Sequence, residues 1–284
     1  MGTATVVVGT ALVAAVATVL AARGAWNART ARLIDGAGPG SGGAAATRPA
    51  PDATAVAALP APVARYLALV LPGGIDGPAP AGPVWLAQRG SFLLDPGRQS
   101  WVPFEAEQTV GLDPPWFVWD ARMHLGPGVE IRVRDSLVHG RGAMRAALWG
   151  LIPLADARGT VAMSEGSLVR YLAEASWFPW ALRPSPALRW EPIDADAARA
   201  TLTVSGVTVA LDFHFAASGL VDRVFTPSRP RHVGGRDLPT PWEGRWLAYD
   251  RRDGVLIPTR GEVAWLLPEG ECVYWRAAVE PDFG

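Results

Sequence analysis

Alternation of apolar and polar side chains, broken at short turns, is the feature that most limits what this chain can become. Phe117, Trp119, Ala121, Met123 and Leu125 alternate with Val118, Asp120, Arg122 and His124, so one side of the segment is apolar and the other largely polar. Gly126-Pro127-Gly128 turns the chain, and Val129, Ile131 and Val133 then alternate with Glu130, Arg132 and Arg134. Val207, Val209, Leu211, Phe213 and Phe215 repeat the pattern against Thr208, Ala210, Asp212 and His214. Asp253-Gly254 and Glu269-Gly270 carry the residue types that hairpin turns demand. About ten such strands with short connections predict antiparallel pairing, because parallel neighbours need long crossovers.

Two segments break the rhythm. From Leu59 the chain reads LPAPVARYLALVL, with Pro62 in a first helical turn and Val63, Tyr66, Leu67, Val70 and Leu71 on one face. Pro72-Gly73-Gly74 stops it. Ser164 to Phe178 predicts a longer helix, with Ser164 as N-cap, Glu165 in the first turn and Pro179 as terminator. Leu168, Tyr171, Leu172 and Ala175 form its apolar face. No β-α alternation and no solenoid or propeller period is present, so the class is α+β: an antiparallel sheet with helices packed on one face.

The amino terminus predicts a different environment. Ala4 to Ala22 carries no charge, and as a helix it is roughly 28 Å long, close to the thickness of a bilayer core. A transmembrane helix is the first expectation; a cleaved signal peptide and a buried soluble helix are the alternatives. Residues 1–34 then form an anchor with a basic flank (Arg23, Arg29, Arg32), 35–53 a Gly/Pro/Ala-rich linker, and 54–284 one β-rich domain. The Arg flank puts that domain on the cytoplasmic side of a single-pass cell-membrane protein. A chain beginning near Thr54 is expected to fold without the anchor.

Composition narrows the chemistry. A net charge of -1 argues against nucleic acid as partner. All 26 basic residues are Arg, so Schiff-base catalysis and a phosphate-loop lysine are excluded. Cys272 is alone, the four histidines show no ligand spacing, and there is no Gly-x-Ser-x-Gly elbow. No catalytic set, metal site or cofactor is predicted. Glu105 and Glu107 share one strand face, and Asp120, Arg122, Arg132 and Arg134 lie on polar faces; cross-strand ion pairs on a solvated surface are the expectation there. Arg170 and Glu174 are four apart on the predicted helix, so they can pair at the surface or at a pocket mouth. Thirteen Trp recur along the chain. Trp116, Trp119, Trp177 and Trp180 suit a core, a membrane interface or a cavity lining.

LPAPVARYL, PPWFVWDARMHL, VRDSLVHGRGAMRAALWGLIPLADA, RYLAEASWFPWAL, RWEPIDADAARATL and DGVLIPTRGEVAW together resemble an uncharacterised bacterial family, a domain of unknown function, from Leu59 to about Val279. The final strands, with Tyr249, the Asp253-Gly254 turn and Ile257-Pro258, also resemble the lipoprotein-carrier (LolA/LolB-like) superfamily. That second resemblance implies a strongly curved half-barrel with helices packed on its concave face around an apolar cavity, and it favours an extracytoplasmic side. The implied function is binding of a membrane lipid or other apolar small molecule near a membrane, without a cofactor. Trp116, Trp119, Arg170, Tyr171, Glu174, Trp177, Phe178 and Trp180 are the expected ligand contacts. A membrane-anchored interaction module with a packed interior, or an enzyme using carboxylates and Arg, are the alternatives.

Overall fold

The alternating segments pair into one antiparallel sheet of thirteen strands, not ten. The computed structural model describes residues 2–38 and 52–284, with side chains from Val13 onward and without that of Pro96. The first six strands are β1 (Val84–Asp95), β2 (Ser100–Leu112), β3 (Pro115–Gly126), β4 (Val129–Val138), β5 (Arg141–Leu148) and β6 (Ile152–Arg158). The other seven are β7 (Leu188–Pro192), β8 (Ala197–Val204), β9 (Val207–Phe215), β10 (Val221–Val233), β11 (Arg236–Arg252), β12 (Val255–Leu267) and β13 (Gly270–Asp282). In space they run β6-β5-β4-β3-β2-β1-β13-β12-β11-β10-β9-β8-β7. Two meanders therefore join through the first and last strands, with Trp85 opposite Asp282 and Phe92 opposite Trp275.

The strands hardest to read from alternation are the two edges. β6 is mostly exposed and contains Pro153, and β7 ends on Pro192. Proline does not set them apart, since Pro103, Pro230, Pro239 and Pro258 sit in paired central strands; the shallow burial of the edges does. Elsewhere the period of two assigns the faces as expected. Phe213 is fully buried, edge-on to Trp190 at 5.1 Å, while its neighbour Asp212 pairs with Arg199 at 2.6 Å. Asp253 and Gly254 both take positive φ, 47° and 83°, as a two-residue hairpin turn requires.

Because β6 and β7 lie at opposite edges, the chain between them must cross the sheet. Helix α1 (Gly2–Ala37), the short α2 (Ala53–Ala57) and α3 (Ala61–Val70) precede the strands, and α4 (Val161–Glu174) makes the crossing. It packs on β4 and β5 from one meander and on β9 and β10 from the other, and the sheet curls round it into a half-barrel. The cap of α4 is Thr160, whose side chain accepts from the Met163 N–H, so the helix begins before the expected Ser164. Ser164 instead accepts from the Gly142 N–H at 3.0 Å and ties the helix to β5. On α3, Val63, Tyr66, Leu67 and Val70 are buried, and the helix packs against β8 and β12.

Among the described residues, no helix is long and apolar enough to cross a membrane. The expected transmembrane helix is not found; α1 is instead one continuous helix whose second half docks on the convex face of the sheet. Trp26 is fully buried there, and its indole N–H donates to Asp120 Oδ2 at 2.8 Å. The Thr30 hydroxyl also donates to Asp120. Arg134 donates to Thr30 Oγ1 at 2.9 Å and to the Trp26 carbonyl at 2.8 Å, with its guanidinium 4.4 Å over the Trp26 ring. Arg132 donates to Asn27 Oδ1 at 3.0 Å, and Arg23 pairs with Glu130 at 3.0 Å. Leu33, Ile34 and Ala37 cover Trp116 and Val118.

The polar row expected to face solvent is thus half covered. Burial pulls the Arg134 guanidinium below its ordinary value, and the adjacent Asp120 carboxylate pushes it back. Arg122 and Glu105, 3.5 Å apart, remain exposed. Asp35 to Ala37, expected in the linker, belong to α1, and residues 39–51 of that linker lie outside the described residues.

A chain shortened to Thr54 should still fold, because its main core lies on the other face, but it should be less stable. Trp26→Ala in the full chain should reproduce most of that loss, about 3 kcal/mol in urea unfolding. An unchanged midpoint in both proteins would show that α1 does not dock.

Candidate functional site

A cavity of about 400 Å³ remains between α4 and the concave face of the sheet. It lies toward the end that carries the turns after β1, β3, β5, β10 and β12, where Leu94, Met123, Leu154, Arg229 and Val263 line it. Three indoles make its firmest wall. Trp177 follows α4 in a single 3₁₀ turn and stands 4.9 Å from Trp246 and 6.0 Å from Trp275, ring centre to ring centre. Trp246 on β11 faces Gly261 on β12, and a Cβ at that position would lie 2.7 Å from its ring. Glycine is needed there because the indole occupies the space of its missing side chain.

A bulge in the β12–β13 pair shapes the next part of the wall. Val263 faces Trp275 but Ala264 faces Val273, which leaves Tyr274 as the extra residue. Strict alternation would send Tyr274 and Trp275 to opposite faces; with the bulge, both line the cavity.

The side of α4 that faces the cavity carries charge. Arg170 donates to Glu174 Oε1 and to Asp135 Oδ2, both at 2.7 Å, and lies 4.9 Å from the ring centres of both Phe117 and Trp119. Burial alone would lower this guanidinium, but the Glu174 and Asp135 charges outweigh it and hold it above its ordinary value. Gln108 donates to Glu174 Oε2 at 2.7 Å and accepts from Gln88 at 2.9 Å, and Gln88 accepts from the Trp119 indole at 2.9 Å. The network is satisfied from Trp119 through to Asp135, which suits a buried polar group beside an apolar space. Across the cavity, Arg229 on β10 donates to Tyr274 Oη at 3.0 Å and to the Gly166 carbonyl at 3.3 Å, and its guanidinium lies 4.7 Å over Trp242.

Four of the eight expected contacts line the cavity: Trp119, Arg170, Glu174 and Trp177. The Arg170–Glu174 pair forms as the helical spacing predicts, but inside the half-barrel rather than on its surface. Trp116 has the parity of Val118 and Asp120, so it lies on the convex face beneath α1. Tyr171 donates to the Gly111 carbonyl at 3.1 Å and packs on Phe178 at 5.4 Å, in core away from the cavity. Trp180 donates to the Pro78 carbonyl at 2.8 Å and meets Phe283 edge-on. Asp135, Arg229, Trp242, Trp246, Tyr274 and Trp275 were not expected. The spacing Trp242-x-Gly244-x-Trp246 puts both indoles on one strand face and was the available signal for them. Glu105 and Glu107 stand on the convex face, away from the cavity. Among the described residues, no group of His, Cys, Asp and Glu is placed to hold a metal ion.

Arg170→Ala would leave two largely buried carboxylates without their cation and should cost about 3–5 kcal/mol in urea unfolding. Arg158→Ala, which breaks an exposed 2.8 Å pair with Asp156, should cost less than about 1 kcal/mol. Equal losses would show that the Arg170 network is solvated.

Two solved structures are similar to this chain. One is a LolA superfamily protein from Nitrosomonas europaea, at 13% identity over 70% of this chain and 83% of that one, with a TM-score of 0.33. The other is a putative outer membrane lipoprotein-sorting protein domain from Vibrio parahaemolyticus, at 10% identity over 71% and 85%, with a TM-score of 0.38. No curated protein matches the chain. Residues 57–281 match the model of a family described as a family of unknown function, DUF6920. That match spans well over half of the sequence, and the chain belongs to this family.

Proposed function

We propose that this protein binds an elongated apolar or amphipathic molecule, a lipid or a compound like one, in the concave cavity. The observation that carries the reading is the cavity itself, about 400 Å³ walled mostly by indole, methionine and branched side chains. Small-molecule pockets have this size and make-up, with a few polar groups to orient the ligand. Water finds few partners on such a wall, so an apolar occupant that releases it is favoured. A purely structural module would need this space filled by its own side chains.

A membrane position fits the same end of the half-barrel. Leu94, Leu125, Leu151, Ile152 and Leu154 are exposed around its turns. Helix α1 passes there too, with the Ala22 carbonyl 3.7 Å from where a Gly150 Cβ would lie, and the turns before it expose Val13, Val16 and Leu20. A grouped apolar rim is a feature of surfaces that enter a headgroup layer. On this reading the rim and the head of α1 hold the cavity mouth against a bilayer without α1 having to cross it.

Titration of the purified, delipidated chain with 1-dodecanol should shift Trp emission saturably. Ala146→Phe, which fills the cavity from β5, should weaken binding about tenfold or more at an unchanged melting temperature. Absence of saturable binding, or binding unaffected by Ala146→Phe, would remove the cavity from the account.

A further inference from the structure

Two guanidiniums line the cavity, and they differ in what balances them. Arg170 has two carboxylates at 2.7 Å, so that wall carries one negative charge in excess. Arg229 has no carboxylate within ion-pair distance among the described residues; its partners are a phenol and a backbone carbonyl. It is held in place over the faces of Trp242 and Trp265, at 4.7 and 5.6 Å. Stacking orients the planar fork while leaving edge N–H groups to donate.

Tyr274 adds a second donor. Its hydroxyl oxygen accepts from Arg229 at 3.0 Å and from the Trp242 indole at 2.9 Å. A phenol oxygen with both lone pairs engaged can still donate its own hydrogen. Tyr274 and Arg229 both line the cavity, so a cation and an O–H donor meet at one place with no protein anion between them.

We propose that the cavity selects an anionic amphiphile, with a carboxylate or phosphate head on Arg229 and Tyr274 and its chain along the Trp177–Trp246–Trp275 wall. The excess charge of Asp135 and Glu174 turns the head away from α4, so the ligand has one orientation. This rests on the cavity being the binding site, and the test separates the two claims.

Wild-type protein is titrated calorimetrically with dodecanoate, dodecyl phosphate, 1-dodecanol and dodecylammonium. Either or both anions should bind about tenfold or more tightly than the alcohol, as one charge-assisted hydrogen bond implies, and the ammonium most weakly. The two anions distinguish a carboxylate head from a phosphate head. Arg229→Gln should bring anions and alcohol to equal affinity, and Arg229→Lys should restore part of the difference. Equal affinity of wild type for anions and alcohol, or tighter binding of the ammonium, would overturn the head-group assignment and leave the cavity reading intact. Failure of all four probes to bind would overturn both.

Discussion

The pairing of the first strand with the last organises the molecule. With β1 beside β13, the two meanders extend outward from the middle of one sheet, and their outer edges are consecutive in the chain. The segment between β6 and β7 must then pass from one edge to the other. It does so through the concave side because α4 is apolar on the faces it turns to both meanders. A sheet of thirteen strands curled round a helix of fourteen residues has more inner surface than that helix can cover. α3 takes part of the remainder. The rest is the cavity, so the space follows from the topology rather than from any one small side chain.

The walls of that space divide by charge. Arg170 is saturated by its own carboxylates, and its network closes through Gln108, Gln88 and Trp119 without needing a ligand. It reads as the element that holds α4 at the right depth. Arg229 and Tyr274 leave donors over, and the wall between is aromatic, with the buried indole N–H groups of Trp177 and Trp246 unpartnered among the described residues. An elongated molecule with one acidic end matches this layout. Docking of α1 on the convex face brings that helix past the turn at Gly150, at the end of the half-barrel toward which the cavity lies.

Most of the sheet was legible because a period of two leaves a record wherever one face is buried. Phe213 and Asp212 lie on the faces their parity assigns, and Asp253-Gly254 forms the turn it predicts. The edge strands were harder, since β6 and β7 bury little. The site was half legible. Trp119, Arg170, Glu174 and Trp177 follow from strand parity and helix spacing, but Trp116 shows the cost of grouping aromatics without applying that parity. The bulge that brings Tyr274 and Trp275 together is a pairing property of two strands, and one strand read alone does not contain it. Trp26 was hidden by the apolar run before it, which made the whole segment read as an anchor instead of a helix with a docking half.

The central claim is that the cavity holds an anionic amphiphile, and native mass spectrometry of the purified full chain tests it most directly. One acidic, chain-bearing molecule per protein should appear in the first spectrum, be lost after solvent extraction and return on adding dodecanoate or dodecyl phosphate. Spectra showing only the bare chain at every stage, with saturating amphiphile present, would contradict it.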